Sequence, residues 1–505
     1  MIPILTPEEM SIADRCAIEN IGISSLVLME NAARALAWFV LDFDPKRVLV
    51  VGSTGNNGAD ALCCARWLFQ KGIDVDILIT KSQKQSQEFK TQLSILKNLG
   101  LKPFYDFPTK EYDVVIDGLF GTGFKPPLKE EYIPYIDFIN NSKATVISVD
   151  MPSGVPSEYC VKAHYTVSFA YPKTYHILYP YTKYAGTVYV KDISIPKACL
   201  PNTHRFLLSI KDIKALIPKR EPDTHKVKEG KVLLIGGNAQ YLGAIVMSAK
   251  ACTTAGAGLV YAGIPKEHFQ SASNHLIEQI KIGFPSKNYF IERLEDVDLN
   301  AFDSIGIGMG FGVYENGFEI LKYIIKNYQK SILLDADALN IIAHHKAYEL
   351  LEKENVVITP HIGEFSRLSG LDKDQITKNQ IDLSYEFHKK YKCSVVLKGA
   401  ISTIATENKV YVSTRGTPAM AKGGVGDVLS GILSAFLSKM SIPKALKLGV
   451  FLHGIAGEIT TSKSHVEAFS TIDMIKHVSE AFRYIENAKD DEVSYRLHIE
   501  NMQDV

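Results

Sequence analysis

The sequence predicts a two-domain α/β protein, each domain a parallel sheet with helices on both faces. Three observations predict it. The chain has 505 residues, more than one core ordinarily serves, so two or three domains are expected. Short apolar strands alternate with helical stretches through both halves, the pattern of a sheet buried on both sides. Between the halves, residues 211–230 (KDIKALIPKREPDTHKVKEG) are charged and carry two prolines, the mark of a boundary. The expected division is 1–209, 210–488 and a polar tail, 489–505, with poor order expected after about Asn487.

The elements follow in order. Thr6-Pro7-Glu8-Glu9 starts a helix, with proline at the first helical position and acids in the first turn. A second helix is expected from Ser24 or Ser25 through Val40. Arg47–Val51 is a strand ending in a glycine loop, and Ala61–Gln70 is the helix after it. Val75–Ile79 is a strand, 84–98 a helix, and Tyr112–Asp117 and Ala144–Asp150 are strands. Short β-like runs in 160–195, including Gly186–Val190, extend this sheet. The rhythm restarts at Lys231–Ile235. Ser331–Asp335, Val356–Thr359 and Cys393–Lys398 are further buried strands. Each ends in a polar or glycine-bearing turn, where ligands of open α/β sheets bind.

Composition removes several classes. Lys+Arg and Asp+Glu are both 56, so the basic excess typical of a nucleic-acid or anionic-membrane partner is absent. No uncharged apolar run is long enough for a membrane span. The N-terminus MIPILTPEEM lacks a basic region before an apolar stretch, so no signal peptide is expected. The seven cysteines are scattered and form no C-x-x-C pair. Reduced core thiols in a cytoplasmic protein are the expectation, rather than a disulfide framework or a zinc site. Apolar helices in both halves make a homo-oligomer the expected assembly.

In the first half, VGSTGNNGAD (51–60) places glycines at 52, 55 and 58 between strand and helix. Such a loop cradles phosphates or is simply a tight turn; spacing alone does not choose. Asn56, Asn57 and Asp60 add polar groups. Asp117 opens DGLFGTGFKPP and Asp150 opens DMPSG, each at a strand end. Asn57, Asp117 and Ser153 offer only oxygen, which suits alkali or alkaline-earth ions. Asp117 and Asp150 equally suit helix or turn caps.

LMENAARA (28–35), GSTGNNGADAL (52–62), DGLFGTGF (117–124) and VDMPSG (149–154) resemble, in order, the motifs of the NAD(P)H-hydrate epimerase domain. The resemblance covers most of 1–205 and implies a Rossmann-like three-layer sandwich. It implies that the hydrated nicotinamide nucleotide lies on Asn56, Asn57, Gly58, Ala59 and Asp60 and on Gly121, Thr122, Gly123, Phe124, Lys125, Pro126 and Pro127. It puts a potassium ion on Asn57, Asp117 and Ser153. Asp150 matches a substrate-contacting aspartate and is the candidate acid/base at C6 of the hydrate. Ala59 and Ala61 stand where the family usually has glycine.

In the second half, glycine turns gather at Gly236-Gly237, GIGMGFG (306–312), LKGAIS (397–402) and TPAMAKGGVGD (417–427). Backbone amides of Gly423 to Gly426, at a helix start, suit a transferring phosphoryl group. Lys398 offers positive charge, and Asp335 and Glu364 suit a magnesium shell or structural caps. Asp427 offers a base beside the amides, two of the requirements of phosphoryl transfer.

GGN…YLGA (236–244), AGAGLV (255–260), LLDADALN (333–340), TPHIGEF (359–365), LKGAIS, TPAMAKGGVGD and LHGIAGE (452–458) resemble the ADP/ATP-dependent NAD(P)H-hydrate dehydratase domain, over about 225–485. The resemblance implies a ribokinase-like three-layer sandwich. It puts the hydrate on Ala244, Gly310, His361 and Asp427, with Asp427 catalytic. It puts the adenine nucleotide, ADP or ATP with magnesium, on Lys398, Gly399, Ala400, Ile401, Ser402 and Gly426. Val425, Ala419 and Ser402 depart from the usual threonine, glycine and threonine. The implied function is repair of hydrated NADH and NADPH: epimerisation in the first domain, nucleotide-driven dehydration of the S form in the second. The alternatives are a ribokinase-like kinase of a small molecule such as a vitamin precursor, and a nucleotide sensor without turnover.

Overall fold

The computed structural model describes residues 1–499 except 83 and 495. It divides into two compact units: Met1–Thr203, joined by the chain after residue 490, and His204–Asp490.

In the first unit the helix Pro7–Arg15 starts as expected. Thr6 Oγ1 accepts from Glu9 N and Glu9 Oε2 accepts from Thr6 N, a reciprocal cap. The helix Ser25–Leu41 follows. Six strands alternate with helices: Arg47–Gly52, Asp74–Ile79, Val114–Gly118, Thr145–Val149, Tyr165–Phe169 and Thr187–Lys191. All neighbours pair in parallel. The chain runs from Arg47–Gly52 outward to Asp74–Ile79, then crosses back to put Val114–Gly118 on the other side of Arg47–Gly52. That reversal opens a crevice at the carboxyl ends of these two strands.

Two expectations need correction. The described residues after 488 are not a loose tail, because Leu497–Ile499 pairs in parallel with Thr187–Lys191 as the outermost strand of the sheet. Residues 495 and 500–505 lie outside the described residues. Cys16 and Cys199 form a disulfide across 183 positions, with Cα atoms 5.4 Å apart; the other five cysteines are free and buried. Neither pairing has a signature in local sequence.

The second unit begins earlier than residue 210. Arg205–Leu207 pairs in parallel with Lys409–Ser413 of its own sheet. From there the strands run Lys409–Ser413, Ser402–Thr406, Ser394–Lys398, Val356–Ile358, Ser331–Leu334, Ser304–Ile307, Lys231–Ile235, Leu259–Pro265 and Ile280–Phe284. The pairs within 394–413 are antiparallel, the others parallel. Here the reversal falls between Lys231–Ile235 and Ser304–Ile307.

The helix Val425–Leu437 is buried all round from Val428 to Leu437, as expected of a helix apolar on every side. It packs on the helix Leu242–Thr254 so closely that a methyl on Gly431 would lie 2.1 Å from the Ser248 carbonyl oxygen. Gly431→Ala is therefore expected to destabilise this unit by about 1–3 kcal/mol. Denaturant unfolding measures it, and an unchanged midpoint would contradict the contact.

Candidate functional site

The first site lies at the reversal of the N-terminal sheet. The strand Arg47–Gly52 leads to the helix Asn56–Gln70, whose Gly58 lies against the Ser53 carbonyl. Asp117 ends the neighbouring strand. Its Oδ1 accepts from Ser153 Oγ (2.6 Å) and Leu119 N (3.3 Å), its Oδ2 from Ser148 Oγ (2.7 Å) and Ser153 N (2.9 Å). Burial still raises the Asp117 carboxyl above the ordinary range against these donors, so the place favours added positive charge. The Asn57 Nδ2 is buried without a partner among the described residues. A half-turn of that amide would present its oxygen there instead. These groups fit a monovalent cation.

Asn57 Oδ1 would lie 2.6 Å, and Asp150 Oδ2 3.5 Å, from a methyl on Gly121. The structure thus brings Asn57, Gly121 and Asp150 around one space. Asp150 has φ +64°, a left-handed conformation aspartate tolerates better than most residues. Its Oδ1 takes the ammonium of Lys173, itself 1% exposed. Asp14 and Asp60 stand nearby. Burial pushes Asp14 up to about 6, with Lys173 opposing and Asp150 adding. Burial, then Asp150 and Asp14, push Asp60 well above the ordinary range.

The second site lies at the reversal of the C-terminal sheet and along the strand ends beside it. A methyl on Gly310 would lie 3.2 Å from the Ala244 methyl, so these two are neighbours. His361 caps the helix Ile362–Ser369: its Nδ1 accepts from Gly363 N (2.9 Å) and Glu364 N (3.4 Å). Burial, then Lys398, lower the His361 pKa, so the ring is neutral and carries its proton on Nε2. That nitrogen lies 3.4 Å from Glu364 Oε1. Lys398 Nζ donates to Asp335 Oδ1 (2.8 Å), and Ser430 Oγ donates to Asp335 Oδ2 (2.6 Å). A methyl on Gly426 would lie 3.4 Å from Lys398 Nζ.

Asp427 occupies the third position of its helix, which starts at Gly424 (φ +89°) without any side-chain cap. Its first amides are left open, and Asp427 does not fold back onto them. Burial, then Asp335, raise its carboxyl to about 7; Lys398 opposes. Lys398 faces Asp335, Glu364 and Asp427, whose attraction outweighs burial and holds its pKa above the usual lysine value. Three carboxylates around one ammonium leave negative charge that a divalent cation would offset. The Asp335 and Glu364 oxygens fit such a role.

The hairpin 398–402 is fastened by Gln380 Nε2, which donates to Leu397 O (2.9 Å) and Ile401 O (3.1 Å).

Residues 232–479 match the NAD(P)H-hydrate dehydratase family, and residues 25–175 match the family described as YjeF-related protein N-terminus. The bifunctional NAD(P)H-hydrate repair enzyme Nnr of Thermofilum pendens is 31% identical, over 94% of this chain and 95% of that protein. The chain belongs to the bifunctional NAD(P)H-hydrate repair enzyme family. The Moorella thermoacetica member is 30% identical, over 96% of this chain and 97% of its own. A ribokinase-like superfamily protein from Enterococcus faecalis V583 is 27% identical with a TM-score of 0.50, over 57% of this chain and 99% of that one.

Two departures from the family pattern turn inward. Ala59 is 0% exposed within the apolar core, so its methyl packs against protein and does not line the cleft. Val425 likewise belongs to the core, and its carbonyl faces His453 Nε2 at 3.0 Å. Thr122, Gly123, Phe124, Lys125, Pro126 and Pro127 form a largely exposed loop. Sequence reasoning missed Lys173, Asp14, Ser430 and Gln380. Lys173 had a signal: it lies just past the carboxyl end of Tyr165–Phe169, on the ligand edge of the sheet.

Proposed function

We propose that the two units act in series on the same metabolite. The first interconverts the R and S hydrates of NADH and NADPH. The second converts the S hydrate back to the dihydronucleotide at the expense of ADP or ATP. The observation that carries this reading is the uncapped, glycine-opened helix start at 424–427, where among the described residues no hydrogen bond holds the Asp427 side chain, beside open amides and Lys398.

Asp427 takes the proton of the C6 hydroxyl as its oxygen attacks the terminal phosphoryl group. The amides of 425–427 stabilise the charge of that group, and Lys398 offsets phosphate charge. The nucleotide lies on Lys398, Gly399, Ala400, Ile401, Ser402 and Gly426, the hydrate on Ala244, Gly310, the Nε2 proton of His361, and Asp427. The C6–O bond then breaks with loss of phosphate, C5 gives up a proton, and the C5=C6 bond re-forms. Magnesium held by Asp335 and Glu364 would supply charge neutralisation at the phosphates. In the first unit Asn57, Asp117 and Ser153 would hold a potassium ion, and Asp150 exchanges protons at C6. The cytoplasm and a homo-oligomer complete the proposal; the exposed Leu26, Val27 and Trp38 of one helix supply apolar surface for assembly, and light scattering tests it.

Incubation with a mixture of R and S NADH hydrates and ADP tests the reading. Full return of dihydropyridine absorbance is expected. A stable phosphorylated product without that absorbance would favour a kinase instead. Gln380→Ala should raise KM for the nucleotide several-fold, about 1 kcal/mol for two hydrogen bonds partly replaced by water, with KM for the hydrate unchanged in the same assay.

A further inference from the structure

We propose that Lys173 is the positioning residue of the epimerase reaction, clamping Asp150 so that one carboxylate oxygen is anchored and the other faces the hydrate. The proposal rests on the epimerase reading above.

The Lys173 ammonium has three acceptors and no more protons to give. It donates to Asp150 Oδ1, to Ser168 Oγ (2.9 Å) and to Phe169 O (2.8 Å). At 1% exposure it does not reach substrate, so it acts through Asp150. Asp150 Oδ1 also lies near Phe169 N (3.3 Å) and Ser168 Oγ (3.4 Å). Among the described residues every hydrogen bond to this carboxylate falls on Oδ1. Oδ2 is the oxygen that lies toward Gly121 and Asn57.

The backbone closes the clamp. His176 Nδ1 accepts from Lys173 N (3.1 Å), which leaves the ring proton on Nε2 to donate to Asp150 O (2.9 Å). Burial, then Lys173, lower the His176 pKa to about 4, so the ring keeps this tautomer through the neutral range. One lysine thus binds the Asp150 side chain directly and its main chain through His176. That double hold maintains the left-handed φ of Asp150, a conformation that persists only where surroundings enforce it. The other ionisable groups around the pair are Asp14, Asp60 and His176. Lys173 is the cation beside these acids, and its charge acts on Asp14 as well.

The chemistry at C6 needs a group that gives a proton and takes one back. The Asp150 carboxyl protonates the C6 hydroxyl, which leaves as water while the N1 lone pair forms an iminium; water then adds to the other face and gives a proton to the Asp150 carboxylate. One carboxyl group held in one place serves both steps.

The test uses the full chain, interconverting R and S NADH hydrates without nucleotide so that the second unit is silent. Lys173→Met should lower epimerase kcat about 10–100-fold, the cost of a displaced catalytic group. KM should stay within about threefold, as Lys173 does not touch substrate. Dehydration of the S hydrate with ADP should stay at the wild-type rate and report an intact second unit. An equal kcat would overturn the proposal, and so would a loss seen only in KM. If the Met variant loses the N-terminal fold by circular dichroism, Ser168→Ala decides. It keeps the ion pair but removes one anchor, so kcat should fall several-fold at unchanged KM; unaltered kcat overturns the proposal. Asp150→Asn separates the two readings. Wild-type epimerisation lost in Asp150→Asn but kept in Lys173→Met removes the role of Lys173 alone, and absence of wild-type epimerisation removes both.

Discussion

Asp427→Asn is expected to abolish most dehydratase turnover, lowering kcat by about 10²–10⁴-fold, the usual worth of a positioned base. Epimerisation should continue, since Asp427 belongs to the other unit. The wild-type kcat should rise with pH through about 7, where burial and Asp335 place this carboxyl, because only the ionised form accepts a proton. The sign for stability is opposite. The folded pKa exceeds the unfolded value of 3.8, so the native state binds the extra proton between about 4 and 7. Wild type therefore loses stability relative to Asp427→Asn across that window, and the full difference stands above it. An asparagine variant that is inactive yet unfolds later at pH 8 than wild type is the expected combination. Unchanged kcat would remove Asp427 from the mechanism.

Gly58→Ala should be the most damaging change in the first unit. The new methyl would lie 1.8 Å from the Ser53 carbonyl oxygen and 2.7 Å from its carbon. Both are backbone atoms and have no rotamer to escape into, so the loop before the helix must move. A loss of about 2–3 kcal/mol is expected, with epimerase activity falling together with the fold. Gly121→Ala makes a useful contrast. Its methyl meets Asn57 Oδ1, a side-chain atom, at 2.6 Å. The fold should survive while Asn57 swings away and epimerase kcat/KM drops about 10²-fold. Thermal unfolding paired with the epimerase assay separates the two; equal melting temperatures for Gly58→Ala and wild type would contradict the close approach.

The strands named from the sequence were legible because each is a short apolar run, and in the structure their ends moved by only one or two residues, as with Tyr112–Asp117 against Val114–Gly118; Leu259–Pro265, Ser304–Ile307, Ser402–Thr406 and Lys409–Ser413 were not singled out. Strand order was not legible. It depends on crossovers that leave no local pattern, yet it is what makes the loops of Gly52 and Asp117 neighbours. The acidic candidates were readable as strand-end residues, whereas Lys173 resembled any lysine until the fold buried it. The disulfide of Cys16 with Cys199 and the return of Leu497–Ile499 are contacts between distant segments, beyond the reach of periodicity. The inward direction of Ala59 and Val425 was hidden for a related reason: a motif gives position along the chain, not which way the Cβ points.

The strand Leu497–Ile499 makes the first unit discontinuous: its final edge is synthesised only after the whole second unit. During translation Thr187–Lys191 therefore waits as a bare parallel edge, able to template unwanted pairing. A cut near residue 203 would free the dehydratase half but leave an epimerase fragment with that edge open. Separation of the halves thus needs a graft of the last strand, not a simple truncation. Folding order is also constrained, since the first half to emerge is the last to close.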